Sequence, residues 1–202
     1  ITTRWVRDTY YASELAAQAD GGENAYSIMA REAAQIAPGS DGLLMLPYMY
    51  GERSPIEDPK ARGMLFGLTG DHTRAHIDRA ALEGVAYSTN QILNMLAKHA
   101  GSPKRITVAG GGTRNPTWMQ ILADVIGKPI YTAASWQTAS YGDACMAAIG
   151  CGDLENFHAL KQVVPSASSV EPQEENREIY EKYQKLYEEL YRVNKDLMHC
   201  LP

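Results

Sequence analysis

Apolar positions alternate along the chain between short continuous runs and helical spacings. Ile1–Val6, β-branched and aromatic and ending at Arg7-Asp8, reads as the tail of a strand. Ala12–Ala19 reads as a short helix broken by Asp20-Gly21-Gly22. Asn24–Ala37 reads as another, with Tyr26, Met29, Ala33 and Ile36 on one face and Pro38-Gly39 as its stop. Leu43–Tyr48 and Met64–Leu68 are apolar strand candidates, and three strands so close together suggest an antiparallel meander. Between them lies the polar loop Gly51–Arg62. Its Glu52, Arg53, Asp58 and Arg62 either pair among themselves or face a cleft, and pairing is favoured for each. Ile77–Ala100 gives the strongest helix, with Leu82, Val85, Ala86, Thr89, Leu93 and Leu96 on one face and Gly101 at its end. Glu83 sits beside that face and is read as structural.

The most informative stretch is Arg105–Gly127. A short apolar run, Ile106–Ala109, predicts a buried strand. Gly110, Gly111 and Gly112 follow, a turn without Cβ atoms where a ligand can approach bare backbone. Asn115 suits an N-cap and Pro116 a first helical position, and Trp118, Ile121, Leu122, Val125 and Ile126 recur at helical spacing up to Gly127. Such a strand, turn and capped helix can hold a nucleotide or another polar ligand. A P-loop would need Lys followed by Ser or Thr after the last glycine, which is absent. A dinucleotide fingerprint would need glycine where Asn115 stands and an acid near Ala133-Ala134-Ser135. An NAD-binding oxidoreductase is therefore disfavoured, and an ordinary tight turn stays open.

Ile130–Ala133 predicts a further strand, and Thr138–Gly150 a helix rich in small residues, able to lie close to a sheet or a ligand. The alternation implies parallel strand pairing with right-handed crossovers. Val164–Glu175 reads as a Pro/Ser/acidic connector. Asn176–His199 reads as a charged helix with a seam of Ile179, Tyr183, Leu186, Leu190, Val193 and Leu197. Docking of that seam on the chain's own sheet is favoured, with a homodimer as the alternative.

Composition narrows the partners. The chain has 202 residues, room for a sizeable core, and its net charge of −5 with no basic block argues against nucleic acid or an anionic membrane. Cys145, Cys151 and Cys200 form no CxxC pair and read as reduced thiols of a cytoplasmic protein. His72 and His76 share helical spacing without a nearby thiol, so no metal site is expected. The start, ITTRWVRD, resembles neither a signal peptide nor a membrane span. Without an initiating Met, and opening inside a strand-like run, the chain is expected to be part of something longer.

In this order the motifs resemble the C-terminal lobe of the FGGY family of carbohydrate kinases. Gly63-Met64-Leu65-Phe66-Gly67-Leu68 opens the family's second signature, and His76-Ile77-Asp78-Arg79-Ala80-Ala81-Leu82-Glu83 closes it seven residues later. GERSP and DPKARG look most like the xylulose kinase branch, and AGGGTRNPTW matches the family's adenosine-binding turn. The resemblance implies an α/β chain with the actin-like ATPase (ribonuclease H-like) fold, a mixed five-stranded sheet flanked by helices. Residues 1–202 would form the nucleotide-binding lobe, with a docking helix over about 176–199. The N-terminal lobe, with the sugar pocket, the Mg²⁺ ligands and the catalytic aspartate, would precede Ile1, as would a phosphate-binding Gly-Thr loop and a nucleotide-contacting glycine ahead of Trp5.

By the same resemblance the intact enzyme would pass the ATP γ-phosphoryl group to a sugar or polyol hydroxyl, with ATP and Mg²⁺ as cofactors. This lobe would position the nucleotide through Gly110, Gly111, Gly112 and Asn115, and would hold neither catalytic nor metal-binding residues. Asn115 serves as N-cap, ligand contact or both. Arg4 stands where some relatives carry a polar nucleotide contact, and a solvent-facing arginine is the plain alternative. Asp143 departs from the small residue usual at its place; it is not read as catalytic, and it would alter what borders the adenine. The competing reading is a non-catalytic nucleotide-binding or interaction module of the actin-like superfamily.

Overall fold

The computed structural model describes residues 1–133, 139–160 and 166–202. Helices α1 (Thr2–Tyr10), α2 (Ala12–Ala19) and α3 (Ala25–Ala33) come first. Strands β1 (Leu44–Leu46) and β2 (Met64–Phe66) precede the long helix α4 (Arg74–Ala100). Then follow β3 (Ile106–Val108), α5 (Pro116–Ile126), β4 (Ile130–Ala133), α6 (Ala139–Cys151), β5 (Ser166–Val170) and α7 (Arg177–His199).

Strand β1 divides the core. It is buried along its length, and because successive side chains point to opposite faces, its residues enter two clusters. Leu44 and Leu46 join Leu82, Ala86, Tyr87, Ile121, Leu122, Ile130 and Tyr187. Leu43, just ahead of the strand, and Met45 join Val6, Tyr11, Met29, Ala80 and Ala81. Helix α4 lies so close to β1 that a Cβ on Gly84 would sit 2.3 Å from the Met45 carbonyl oxygen. β1 pairs antiparallel with β2, Met45 opposite Leu65. β3 pairs parallel with β4, Thr107 opposite Tyr131, and β5 runs antiparallel on the other edge of β4, which makes that sheet mixed. Among the described residues the five strands thus fall into a two-stranded and a three-stranded sheet.

Several expectations are corrected. Ile1–Val6 is not a strand: α1 buries Thr2 and Val6, one turn apart, against the core, so among the described residues no third strand joins β1 and β2 in a meander. The α3 face is Ala25, Met29 and Ala33, and Tyr26 is exposed. The apolar face of α4 is buried only in its first half, and Leu96 is half exposed. Part of the expected connector, Ser166–Val170, is β5, held by pairing with β4 and by a 2.8 Å bond between the Thr132 and Ser168 hydroxyls. Helix α6 has no buried residue and, among the described residues, contributes none to either core cluster. The Ala134-Ser135 part of the acid comparison lies outside the described residues.

Helix α7 does dock on its own chain, but on a stripe that keeps Leu190 of the expected seam, leaves Ile179 and Tyr183 partly buried at its edge, and otherwise falls one residue later. Tyr180, Gln184, Tyr187, Leu190 and Met198 are buried, while Leu186, Val193 and Leu197 are exposed. The stripe is set by polar tips that find partners. The Tyr187 hydroxyl donates to that of Tyr48 at 2.8 Å, and Gln184 Nε2 donates to the Tyr87 carbonyl at 3.3 Å. Leu190→Asp should therefore cost about 3 kcal/mol or more in a denaturant titration, since it buries a carboxylate. Leu186→Asp should stay within about 0.5 kcal/mol of the parent. Equal losses would place the two leucines in equivalent surroundings and contradict the stripe.

The same helix clasps the Gly51–Arg62 loop. Buried Asp58 accepts from the Tyr191 hydroxyl at 2.8 Å and the Lys60 backbone N–H at 2.9 Å, and pairs with His199 Nε2 at 2.7 Å. Arg62 donates to the Pro202 carbonyl at 3.0 Å. The loop's charges therefore bind the C-terminal segment and the loop's own backbone, and among the described residues no ion pair joins Glu52, Arg53, Asp58 and Arg62 to one another, contrary to the expected pairing. Burial pushes the Asp58 carboxyl up, but its hydrogen bonds prevail and hold it at about 2, below the ordinary 3.8. A depressed carboxylate stabilises the fold above its unfolded value and loses that contribution as pH falls through its folded value. Acid titration of the unfolding free energy should show the parent losing more stability than Asp58→Asn between pH 3.8 and about 2. Parallel curves would contradict the clasp.

Candidate functional site

The stretch after β3 folds as its residues suggest, with one addition. Gly110 has φ +104°, a conformation that side chains with a Cβ rarely adopt. Gly111–Arg114 then form a turn of 3₁₀ helix, closed by the Thr113 hydroxyl on the Gly110 carbonyl at 2.8 Å. Asn115 caps α5: its Oδ1 accepts the Trp118 backbone N–H at 3.1 Å, with Pro116 at the first helical position.

The three glycines have different reasons to be glycine. A Cβ on Gly112 would lie 2.2 Å from the Trp118 ring, so this glycine seats the indole. A Cβ on Gly110 or Gly111 would meet nothing within 4 Å, and Gly111 lacks the left-handed backbone of Gly110. Gly111 is therefore free of packing demands.

This turn borders a cavity of about 1000 Å³ between α1, α3, α4 and the start of α5. Its rim carries Ile1, Gly111, Gly112 and Asn115, and its floor carries Met29, Asp78 and Leu82, each at most 3% exposed. Thr117 ties the rim to α3 by donating to the Ala30 carbonyl at 3.1 Å. Arg31, also on the wall, is paired with Glu23 at 2.6 Å. The cavity thus joins a floor that is apolar but for the Asp78 carboxyl to a rim of bare backbone, an amide and a helix N-terminus, which suits a ligand with a flat apolar part and a polar or anionic part.

Of the residues expected to contact a ligand, Gly111, Gly112 and Asn115 line the cavity, and Gly110 adjoins them. Arg4 is exposed on α1 and is not on the wall, although Ile1, Thr2 and Thr3 are. Asp143 is exposed on α6 and is not among the residues lining the cavity. Glu83 is structural: it accepts from the Gly39 N–H, the Ser40 hydroxyl, Arg79 Nε and the Tyr180 hydroxyl. His76 pairs with Asp41 at 3.1 Å, and among the described residues no group of three His, Cys, Asp or Glu side chains is placed to hold a metal ion. Also among them, no helix is long and apolar enough to cross a membrane. Sequence reasoning missed Asp78 on the floor. Its one signal was a carboxylate among Ala75, Ala80, Ala81 and Leu82 on the buried side of α4.

Comparison with known proteins places this geometry. Residues 1–151 match the FGGY family of carbohydrate kinases, C-terminal domain. The gluconokinase of Bacillus licheniformis is 32% identical over 194 residues, 96% of this chain and 38% of its own length. The xylulose kinase of Staphylococcus epidermidis is 30% identical over 96% of this chain and 37% of its own length. Among solved structures, xylulose kinase from Rhodospirillum rubrum superposes with a TM-score of 0.80 at 32% identity, over 98% of this chain and 38% of that one. Xylulose kinase from Lactobacillus acidophilus gives 0.81 at 26% identity, over 96% of this chain and 38% of that one. The chain therefore spans less than two-fifths of the relatives it matches. It has the actin-like ATPase fold of those sugar kinases and belongs to the FGGY family of carbohydrate kinases, as its C-terminal domain.

Proposed function

We propose that residues 1–202 are the nucleotide-holding lobe of an ATP-dependent kinase that phosphorylates a sugar or polyol, with a xylulose-like ketose favoured. The observation that carries this reading is the turn itself. Gly110 and Gly111 border open space beside a capped helix N-terminus, where any side chain would occupy the ligand's room. ATP, when bound, supplies the γ-phosphoryl group. Backbone at Gly110 and Gly111 would approach it. With Asn115 Oδ1 engaged in the cap, Nδ2 is left to donate to the base or ribose. The start of α5 adds the positive end of a helix dipole. We assign the base that deprotonates the acceptor, and the ligands of Mg²⁺, to a lobe preceding this chain. Closure of the two lobes would exclude water and complete the site. Such an enzyme would work in the cytoplasm.

Relatives named as gluconokinase, xylulose kinase and glycerol kinase bound the choice of acceptor. GERSP and DPKARG favour a ketose. The test is a phosphorylation panel of xylulose, gluconate and glycerol, with a full-length protein that contains this chain. Fastest transfer to xylulose is expected, and transfer to none with ATP still bound would favour a non-catalytic module. The 202-residue chain alone should release no ADP on adding sugar. Sugar-dependent release by it would overturn the division of labour between lobes.

A further inference from the structure

Two residues on the cavity wall carry buried polar atoms with no hydrogen-bond partner among the described residues, Asp78 Oδ1 and Trp118 Nε1. Asp78 is only 1% exposed. A carboxylate so placed costs free energy unless something donates to it. Nearby cations are committed elsewhere. Arg79 turns to Glu83 at 3.0 Å and to the Tyr180 hydroxyl at 3.0 Å, and Arg74 is held by Glu14 at 2.7 Å and Glu32 at 2.6 Å. Burial first, and then the Glu32 carboxylate, push the Asp78 carboxyl up to about 7. Structural carboxylates in this chain look different: Glu83 and Asp58 are each surrounded by donors.

The surroundings of Asp78 define what would complete it. Met29, Ala30, Leu82 and Val85 give the cavity an apolar lining around the carboxyl, while the polar backbone of the turn lies at the rim. A ligand that lays a flat ring along this lining and keeps its charged end at the rim would bring an edge of that ring to Asp78. The Trp118 indole N–H, fixed by Gly112 against its ring, offers the complementary donor in the same wall.

We propose that Asp78 reads the nucleotide base, its Oδ1 accepting a hydrogen bond from the exocyclic amino group of adenine. The inference rests on the nucleotide reading of the cavity and adds the discrimination among bases. Above pH 7, where the Asp78 carboxyl has lost its proton, a 6-oxo base would set a carbonyl oxygen against the carboxylate and be rejected, because a buried acceptor facing another acceptor stays unsatisfied, so binding is compared well above pH 7.

The test is calorimetric binding of ATP, ITP and purine riboside triphosphate, which lacks the amino group, to a full-length protein that contains this chain. The parent should bind ATP at least tenfold more tightly than either analogue. Asp78→Asn, whose amide can present N–H to a 6-oxo group, should shrink the ATP:ITP preference at least fivefold. An unchanged preference in Asp78→Asn, or parental affinity for purine riboside triphosphate equal to that for ATP, would overturn base reading and leave the nucleotide site standing. The analogue arm uses the parent protein and needs no variant to fold. Failure of the parent to bind ATP would overturn the nucleotide reading, and this inference with it.

Discussion

Gly111→Val should weaken ATP by well over tenfold, more than the ~1.4 kcal/mol that each factor of ten represents. The branched side chain would project into the space at the cavity rim where the nucleotide is proposed to lie. Backbone strain is a poor rival explanation, because Gly111 lacks the left-handed φ of Gly110 and no protein atom lies within 4 Å of the new Cβ. Thermal stability should therefore be nearly unchanged. In a full-length enzyme the KM for ATP should rise while the KM for sugar changes little, since the sugar pocket is assigned to the other lobe. Asn115→Ala, without a steric clash, should weaken ATP by only ~1–3 kcal/mol if a polar partner is left unpaired. It should also lose up to ~2 kcal/mol of stability with the cap. If both variants stay folded with parental affinity, the turn is only a corner.

Glu83→Ala should destabilise the fold by roughly 3–5 kcal/mol, because it strands the buried Arg79 guanidinium. Burial pushes the Glu83 carboxyl up, and Arg79 with the Ser40 hydroxyl and Gly39 N–H opposes that rise. Four donors from three parts of the chain converge on it. Gly39 and Ser40 come from the turn before β1, Arg79 from α4 itself, and Tyr180 from α7. The Tyr180 hydroxyl also accepts from Arg79, so the network closes on itself. Glu83→Gln keeps the shape but loses the charge, and should cost less. A denaturant midpoint for Glu83→Ala within about 1 kcal/mol of the parent would contradict the network's role.

What the sequence made legible was local. Ile106–Val108, the glycine turn and the Asn115-Pro116 start of α5 announce themselves because each residue acts through its own backbone or its near neighbours. The parallel pairing of β3 with β4 also followed, since the intervening helix leaves little alternative. Tertiary burial decided the rest. Ile1–Val6 has strand-like residues, yet Thr2 and Val6 are buried one turn apart on a helix, and context outweighed propensity. Ser166–Val170 has no apolar alternation at all, and its strand exists because β4 offers an edge.

The stripe of α7 was missed for a related reason. Counting aliphatic positions favoured Leu186, Val193 and Leu197, but the core accepts tyrosines and a glutamine whose polar ends are paired. A side chain that needs a distant partner cannot be assigned to the core from its neighbours in sequence. Asp78 shows the same limit in the site: its burial is read from α4, but the cavity it faces is assembled from α1, α3 and α5 as well.

The most direct measurement is a nitrogen-edited amide spectrum of the 202-residue chain titrated with ATP. Amides of Gly110–Asn115 should shift together and saturably, with the Asn115 side-chain amide among them, while those of the Gly51–Arg62 loop stay in place. Saturable shifts elsewhere, with the glycine turn unmoved, would show that the nucleotide binds at another surface and would contradict the site proposed here.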